Sequence, residues 1–250
     1  MDVNSGVFEV SRPEAELVVN KETGKLEDKK EDQQEATIEH CFMLLSNITA
    51  IEHGQVHVLG LESESESPTA KKHTQFIISE SIFGMFCYFN KNTSFDFVSN
   101  VMANLACQAE GRQFLVEQKY IEAIVDQMIK QRLNDHRRKF LICCLRNLLF
   151  DVETYEQKFL EMGVPSDICK VLIDEQGIMS QLPESWPAKF AAKSDKELGE
   201  VDMDNTSKLV ECLFLLQKSP ILFKVLKELK VQDILLKVQI PKTEEYIDVN

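Results

Sequence analysis

The sequence predicts an all-α protein made of stacked helical units, and three observations support this fold class. Apolar residues recur at steps of three and four between residues 137 and 160, as they do along one side of a helix. A pattern typical of a helix end, apolar-x-Asn-apolar, occurs at Asn47, Asn104 and Asn147, with spacings of 57 and 43 residues. The chain has only nine Gly and seven Pro in 250 residues, which suits long helices and disfavours a turn-rich β-sandwich.

Each copy of the pattern is followed by a turn and a second apolar helix. Gly54 and Gly111 come seven residues after Asn47 and Asn104, and Gly163 stands where the helix that follows Asn147 should stop. A degenerate fourth copy lies at residues 213–216. Helical units of some forty residues are the period of armadillo and HEAT arrays. We therefore expect an armadillo- or HEAT-like α-solenoid of about three to four repeats.

The composition along the chain predicts three regions. Residues 1–36 are acidic and poor in apolar side chains, so we expect a partly ordered segment there. Residues 37–238 form the helical array, and residues 239–250 form a polar tail. Within the array, residues 62–72 are predicted to be an acidic linker. Residues 174–203 are predicted to be an irregular excursion that caps the array or contacts a partner.

Some segments allow more than one secondary structure. Helix and strand compete in the aromatic-rich segment 73–89, and we favour helix because the neighbouring segments are helical. An N-cap at Asp204 is predicted to start the helix of the fourth copy. The other predicted helices are Gln34–Thr49, Tyr120–Leu133, Pro165–Ile173, Thr206–Lys218 and Pro220–Lys230.

Charge and cysteine content exclude several classes of partner. A net charge of -13 argues against nucleic acid and against an anionic membrane surface, because both attract basic proteins. The seven cysteines lie mostly in apolar helical runs, so we expect small buried side chains in a reducing compartment. The first residues lack the features of a signal peptide, and no apolar run is long enough to cross a membrane. A cytoplasmic monomer is expected.

No constellation of residues predicts catalysis, a metal or a cofactor. His53 and His57 are the one histidine pair at helical spacing, but Gly54 lies between them and no cysteine is near. Cys143 and Cys144 are adjacent and point to different faces of a helix, and His136 is about two turns away. We therefore expect a binding protein and not an enzyme.

The asparagines of the repeat are the best candidates for a partner-binding surface. In stacked units Asn47, Asn104 and Asn147 would form a ladder whose amides could bind an extended peptide on the concave face. The alternative, which we favour for any single asparagine, is that it holds the turn after its own helix. Asn100, one turn before Asn104, would extend the surface, and Arg146 would add a fork that binds carboxylates.

Basic residues cluster between positions 130 and 139 of this otherwise acidic chain. The cluster could attract an acidic partner, although a solvated turn between helices is the simpler interpretation. Arg138 and Lys139 fall off the apolar stripe and are expected at the surface. The members of the cluster are Lys130, Arg132, Arg137, Arg138 and Lys139.

Four segments, in this order along the chain, resemble a known family. They are Phe95–Gln118 with its Gly-Arg-x-Phe-Leu, Cys143–Glu161 with its Leu-Arg-Asn-x-x-Phe, Leu172–Trp186 with a Leu-Pro before an aromatic residue, and Ser194–Ser219. The order of the segments, over about residues 38–238, is similar to that of the Hgh-type (brain-protein-sixteen-like) armadillo-like proteins.

The resemblance implies a chaperone adaptor without catalysis or a cofactor. Members of this family help to fold eukaryotic translation elongation factor two together with the cytosolic chaperonin. They carry further repeats before the unit of Asn47, so this chain resembles a shortened member with less concave surface. The alternative function is a general armadillo-type scaffold or transport adaptor that binds an extended peptide segment.

Overall fold

A computed structural model describes residues 17–19, 26–61, 82–84, 86, 92–130, 135–176 and 202–238, and these residues form an all-α helical array. One short antiparallel ladder precedes it, in which β1 (Leu17–Val19) pairs with β2 (Leu26–Asp28). The helices are α1 (Lys29–Thr49), α2 (Glu52–Val58), α3 (Val98–Leu105), α4 (Ala109–Glu117), α5 (Tyr120–Lys130), α6 (Asp135–Leu148), α7 (Val152–Glu161), α8 (Val164–Gln176), α9 (Met203–Leu216), α10 (Pro220–Glu228) and α11 (Val231–Leu235).

The helices repeat as three-helix units, which confirms the predicted fold class. Units two, three and four are α3–α5, α6–α8 and α9–α11, and α1 and α2 occupy the corresponding places in unit one. In units two to four, the second helix begins four residues after the first one ends. We call α1, α3, α6 and α9 the lead helices, because each opens its unit.

The two glycines of the repeat allow a close contact between consecutive helices. A Cβ atom on Gly54 would lie 1.9 Å from the carbonyl oxygen of Ile48, and a Cβ on Gly111 would lie 1.9 Å from that of Leu105. Ile48 and Leu105 are the residues that follow Asn47 and Asn104. The two glycines are therefore equivalent, and each lets the second helix pack directly on the end of the lead helix.

The lead helices lie side by side and run parallel. α1 packs on α3, α3 on α6 and α6 on α9. Two ion pairs between α6 and α9 show the parallel direction. Lys139 binds Asp204 at 3.2 Å, and Arg146, seven residues later, binds Glu211, which is also seven residues later. A second layer, in which α5 and α8 pack on each other and on α6 and α9, buries a continuous apolar core.

Several helix boundaries differ from the sequence prediction. α1 begins at Lys29, inside the segment 1–36 that was expected to be only partly ordered. Asp202, and not Asp204, caps α9, because its side chain accepts hydrogen bonds from the backbone N–H groups of Asp204 and Asn205 at 2.9 and 3.0 Å. The side chain of Asp204 instead binds Lys139 and Lys208. The preference for a helix over a strand in segment 73–89 is confirmed at residues 82–84 and 86, where Phe83 and Phe86 are fully buried.

Two predictions about side-chain burial are wrong. Arg137 and Arg138 were expected in a solvated turn, but they are only 1% and 2% exposed. Cys41 was expected to be buried, but it is exposed, as is Cys107. The linker 62–72, residues 177–201 of the excursion and the tail 239–250 lie outside the described residues. Within the described ranges, no helix is both long enough and apolar enough to span a membrane.

Candidate functional site

Two asparagines of the predicted ladder join consecutive lead helices. The Asn104 amide donates hydrogen bonds to the Ser46 carbonyl and to the Thr49 hydroxyl, both at 3.1 Å. The Asn147 amide donates to the Ala103 carbonyl at 3.1 Å and to the Cys107 sulfur at 3.5 Å. Each side chain therefore donates both of its amide hydrogens to atoms of the preceding unit. This differs from both sequence interpretations, in which it bound a peptide or held its own turn.

The other two predicted asparagines have different surroundings. Asn47, at the start of the row, is exposed. Asn100 is only 9% exposed, and its Oδ1 lies 2.9 Å from Nε2 of His136. Because α3 turns this side chain toward α6, Asn100 does not extend the surface as predicted. In the fourth unit Leu215 takes the place of the asparagine, so the amide contact is absent from that position.

We expect the loss of either bridging asparagine to lower stability. Asn104→Ala and Asn147→Ala should each reduce the free energy of unfolding by about 1–2 kcal/mol, because each removes two partly buried hydrogen bonds between units. Urea unfolding measured by circular dichroism tests this expectation. Asn47→Ala is the matched control and should be nearly neutral. Equal stability of all three variants would contradict the bridging role.

Arg146 lies on the exposed side of α6 and binds other side chains of the protein. Its guanidinium binds the Glu211 carboxylate of α9 and lies 5.4 Å from the centre of the Phe150 ring. Phe150 is 46% exposed, and Phe214, one turn after Glu211, is 60% exposed. The Arg146 surface, as we call this region, comprises Asn104, Cys107, Arg146, Asn147, Phe150, Glu211 and Phe214. It presents two large aromatic side chains beside a charge pair.

Arg112 binds both the end of α3 and the turn after α6, next to the Arg146 surface. The sequence did not identify it as a site residue. Its Nε and Nη2 donate to the two carboxylate oxygens of Asp151 at 2.6 and 3.3 Å. Its Nη1 donates to the carbonyls of Ala106 and Cys107 at the end of α3. One side chain thus ties unit two to the turn that follows Phe150. The only sequence signal was its place directly after Gly111, within the motif that the resemblance used.

His136 lies between units two and three, and its environment lowers its pKa. Its ring stands 4.7 Å from the ring of Phe97 and 4.9 Å from that of Phe140. Burial lowers the pKa of His136 below its ordinary value of 6.5, Asp96 opposes this shift, and Lys139 adds to it. The folded protein therefore favours the neutral ring.

This pKa shift predicts a dependence of stability on pH. Because the unfolded chain binds the proton more tightly, the contribution of His136 to stability should be present above about pH 6.5 and be lost below it. Urea unfolding between neutral and mildly acidic pH measures the effect. His136→Gln, which keeps a donor for Asn100 but does not titrate, is the control. The stability advantage of the wild type over this variant should shrink on acidification, and a constant difference would contradict the assignment.

The cysteines and histidines form no reactive group in the described part of the chain. Burial raises the pKa of Cys144 and Cys212, and it raises the pKa of Cys169 to about 12, so these thiols stay protonated. No group of three or more histidine, cysteine or acidic side chains among the described residues could hold a metal ion.

Two cavities lie along α5, one toward α4 and α7 and the other toward the start of α8. One of about 460 Å³ is lined by Val116, Glu117, Lys119, Glu122, Lys158, Glu161 and Met162. Its neighbour of about 270 Å³ shares Glu122 and Met162. Glutamate and lysine side chains line the first cavity, and Asp126 and Asp167 line the second.

Comparison with known proteins assigns a family to this chain. No curated protein matches it. The profile of the family described as Domain of unknown function (DUF383) matches residues 29–181, which is more than half of the chain. The match runs from the first residue of α1 to beyond the end of α8, so it includes the three units that carry Asn47, Asn104 and Asn147. The chain is therefore a member of the DUF383 family.

Proposed function

We propose that this protein is a non-catalytic binding protein that holds a protein client on the Arg146 surface. The observation that carries the proposal is the exposure of Phe150 and Phe214 beside the Arg146–Glu211 pair. Large aromatic side chains and arginine supply most of the binding free energy at protein interfaces. Arg146 and Phe214 lie on α6 and α9, and Phe150 lies in the helical turn that joins α6 to α7, so binding a client requires little ordering of the surface.

The resemblance of the sequence to the Hgh-type armadillo-like proteins supports a specific client. We propose that the client is eukaryotic translation elongation factor two, and that the protein acts with the cytosolic chaperonin in the cytoplasm. An adaptor of this kind needs a surface that recognises a folding intermediate, and exposed aromatic residues suit such a client because it exposes apolar groups. Covalent chemistry is not required.

The alternative is a general scaffold that binds an extended peptide along the asparagines. An extended peptide presents alternating N–H and C=O groups, so a binding ladder must both donate and accept hydrogen bonds. Asn104 and Asn147 donate both amide hydrogens within the protein, which leaves only their Oδ1 atoms as acceptors. This geometry favours the aromatic surface over the peptide ladder.

A binding assay with purified elongation factor two tests the proposal. Phe214→Ser and Arg146→Glu should each weaken binding by about tenfold or more, as expected for anchors at the centre of an interface. Lys224→Glu is the matched control, since it reverses an equally basic charge on α10, where Lys224 is largely exposed. Chaperonin subunits should be recovered with the wild type from a cytosolic extract and be lost with the two variants.

A double variant separates contact with the client from the stability of the surface itself. Arg146→Glu combined with Glu211→Arg restores an ion pair of opposite direction between α6 and α9. If Arg146 contacts the client, this variant should remain weak in binding while its thermal stability recovers. Elongation factor two that fails to bind the wild type, or that binds all variants equally, would contradict the proposal.

A further inference from the structure

Phe150 is the one aromatic member of the Arg146 surface that does not lie on a long helix. It occupies the middle of the 3-10 turn Leu149–Asp151, which joins α6 to α7. Leu149 and Val152 are fully buried, whereas the Phe150 side chain is 46% exposed. The two buried neighbours hold the turn on the core, but the core does not enclose the Phe150 ring. The position of this ring therefore depends on how firmly the outer side of the turn is held.

The outer side of the turn is held by Arg112. Asp151, the residue directly after Phe150, accepts hydrogen bonds from Nε and Nη2 of Arg112 at 2.6 and 3.3 Å. Nη1 of the same guanidinium donates to the carbonyls of Ala106 and Cys107 at 3.2 and 3.0 Å. A guanidinium is planar and its donors have fixed directions. It therefore fixes the turn of Phe150 relative to the end of α3.

The Arg112–Asp151 pair is better shielded from water than the charge pair on the surface itself. The side chains of Arg112 and Asp151 are 13% and 29% exposed. Those of Arg146 and Glu211 are 35% and 50% exposed. A pair that makes two hydrogen bonds and is partly buried keeps a single geometry more strictly than an exposed pair does. Arg112 is therefore suited to hold a neighbouring side chain in place without touching a client.

We propose that Arg112 is a positioning residue, which acts through Asp151 to keep the Phe150 ring in the orientation that a client binds. The effect on the ring follows from the contacts of Arg112, and the effect on a client rests on the proposed function. A ring that is ordered before binding lowers the entropy that association must overcome. The simpler alternative is that Arg112 only stabilises the junction between units two and three. The two alternatives differ in whether the effect of Arg112 passes through Phe150.

The first experiment measures the ring position without any client. Trp186 is the only tryptophan of the chain, so Phe150→Trp combined with Trp186→Phe leaves one indole, at position 150. In time-resolved fluorescence anisotropy, Arg112→Ala should increase the amplitude of the fast motion of this indole. Arg112→Lys, which keeps the charge but cannot form the fork, should give an intermediate amplitude. An unchanged amplitude in Arg112→Ala would overturn the proposal.

Gln127→Ala is the matched control for a general loss of stability. Gln127 is 2% exposed, donates to the Phe86 carbonyl at 3.1 Å and accepts from Arg137, which lies in the first turn of α6. Arg146 lies in the last turn of the same helix. Gln127→Ala should therefore lower the stability of the protein but leave the motion of the indole as in the wild type. An equal gain of motion in Gln127→Ala would show that lost stability, and not Arg112, frees the ring.

The second experiment is a double-mutant cycle with purified elongation factor two. Arg112→Ala should weaken binding by about twofold to tenfold, which corresponds to the cost of ordering one side chain at an interface. The same loss should appear when Phe214→Ala is already present. In the Phe150→Ala background Arg112→Ala should have almost no further effect, because the ring that it positions is gone.

The outcomes of the cycle separate this inference from the proposed function. A full loss of affinity from Arg112→Ala in the Phe150→Ala background would overturn the positioning role, since Arg112 would then act by another route. Gln127→Ala should bind like the wild type, and an equal loss there would also overturn the role. A wild type that does not bind elongation factor two contradicts the proposed function, while the anisotropy measurement still decides whether Arg112 positions Phe150.

Discussion

Replacement of Gly111 by alanine is expected to destabilise the protein strongly. The new Cβ would lie 1.9 Å from the Leu105 carbonyl oxygen, a backbone atom that cannot rotate away. Helix α4 would have to move off the end of α3, so we expect a loss of about 3 kcal/mol or more in the free energy of unfolding. Gly54→Ala should have a similar effect, because Ile48 presents the same contact.

Gly163 provides the control for this experiment. It has a φ of +71°, and a Cβ there would meet nothing within 4 Å. Alanine at Gly163 should therefore cost only the strain of a left-handed backbone, about 1–2 kcal/mol. Urea unfolding of the three variants measures the difference. If Gly111→Ala is no less stable than Gly163→Ala, the close packing of α4 on α3 is not a source of stability.

Replacement of Asp96 by alanine is the second change with a large expected effect. The Arg137 side chain is 1% exposed, and Asp96 is the carboxylate that binds it, at 2.7 Å. Its guanidinium also donates to the Asn92 carbonyl at 2.7 Å and to Gln127 at 3.1 Å, and it lies over the ring of Phe86. Burial lowers the pKa of Arg137, and Asp96 opposes this shift. Asp96→Ala would leave a buried cation without its carboxylate, at a cost of about 3–5 kcal/mol.

The double variant and an exposed pair are the controls. Asp96→Ala with Arg137→Met removes both charges, so it should be more stable than Asp96→Ala alone. The corresponding Glu211→Ala change breaks the pair with Arg146, which solvent reaches, and should cost less than about 1 kcal/mol. Thermal or urea unfolding compares the three. A similar cost for Asp96→Ala and Glu211→Ala would show that burial does not determine the strength of the Arg137 contact.

The sequence predicted the fold because its signals are local and repeat. The apolar steps and the glycines at Gly54 and Gly111 report contacts within one unit, and the asparagines recur at the same place in each of the first three units. These signals gave the all-α class, the approximate unit boundaries and the stop at Gly163. The start of α9 was misplaced by a few residues because Asp202 and Asp204 are both acceptable caps, and only the structure shows which carboxylate meets the free N–H groups.

The burial of Arg137 and Arg138 could have been predicted from periodicity alone. They stand four and three residues before Leu141, so they continue the apolar stripe of α6 by one turn. The prediction that Arg138 falls off the stripe was therefore wrong, and a solvated cation, which is the usual case, was the wrong expectation for both arginines. The partners of Arg137, Asp96 and Gln127, lie 41 and 10 residues away, and the sequence does not connect them. The contacts of the candidate site could not be predicted for the same reason, because they join residues of different units that are far apart in the sequence.

The contacts between lead helices differ in how strongly they respond to dissolved salt. Units two and three are joined by buried Arg137, by two amide hydrogen bonds from Asn147 and by the partly buried pair of Arg112 with Asp151. Units three and four are joined by the exposed pairs of Lys139 with Asp204 and of Arg146 with Glu211, and by a hydrogen bond from Ser219 to the Glu156 carboxylate at 2.7 Å. Ionic strength acts mainly on the two exposed ion pairs. Added salt should therefore weaken the polar attachment of α9 to α6 more than the polar attachment of α6 to α3.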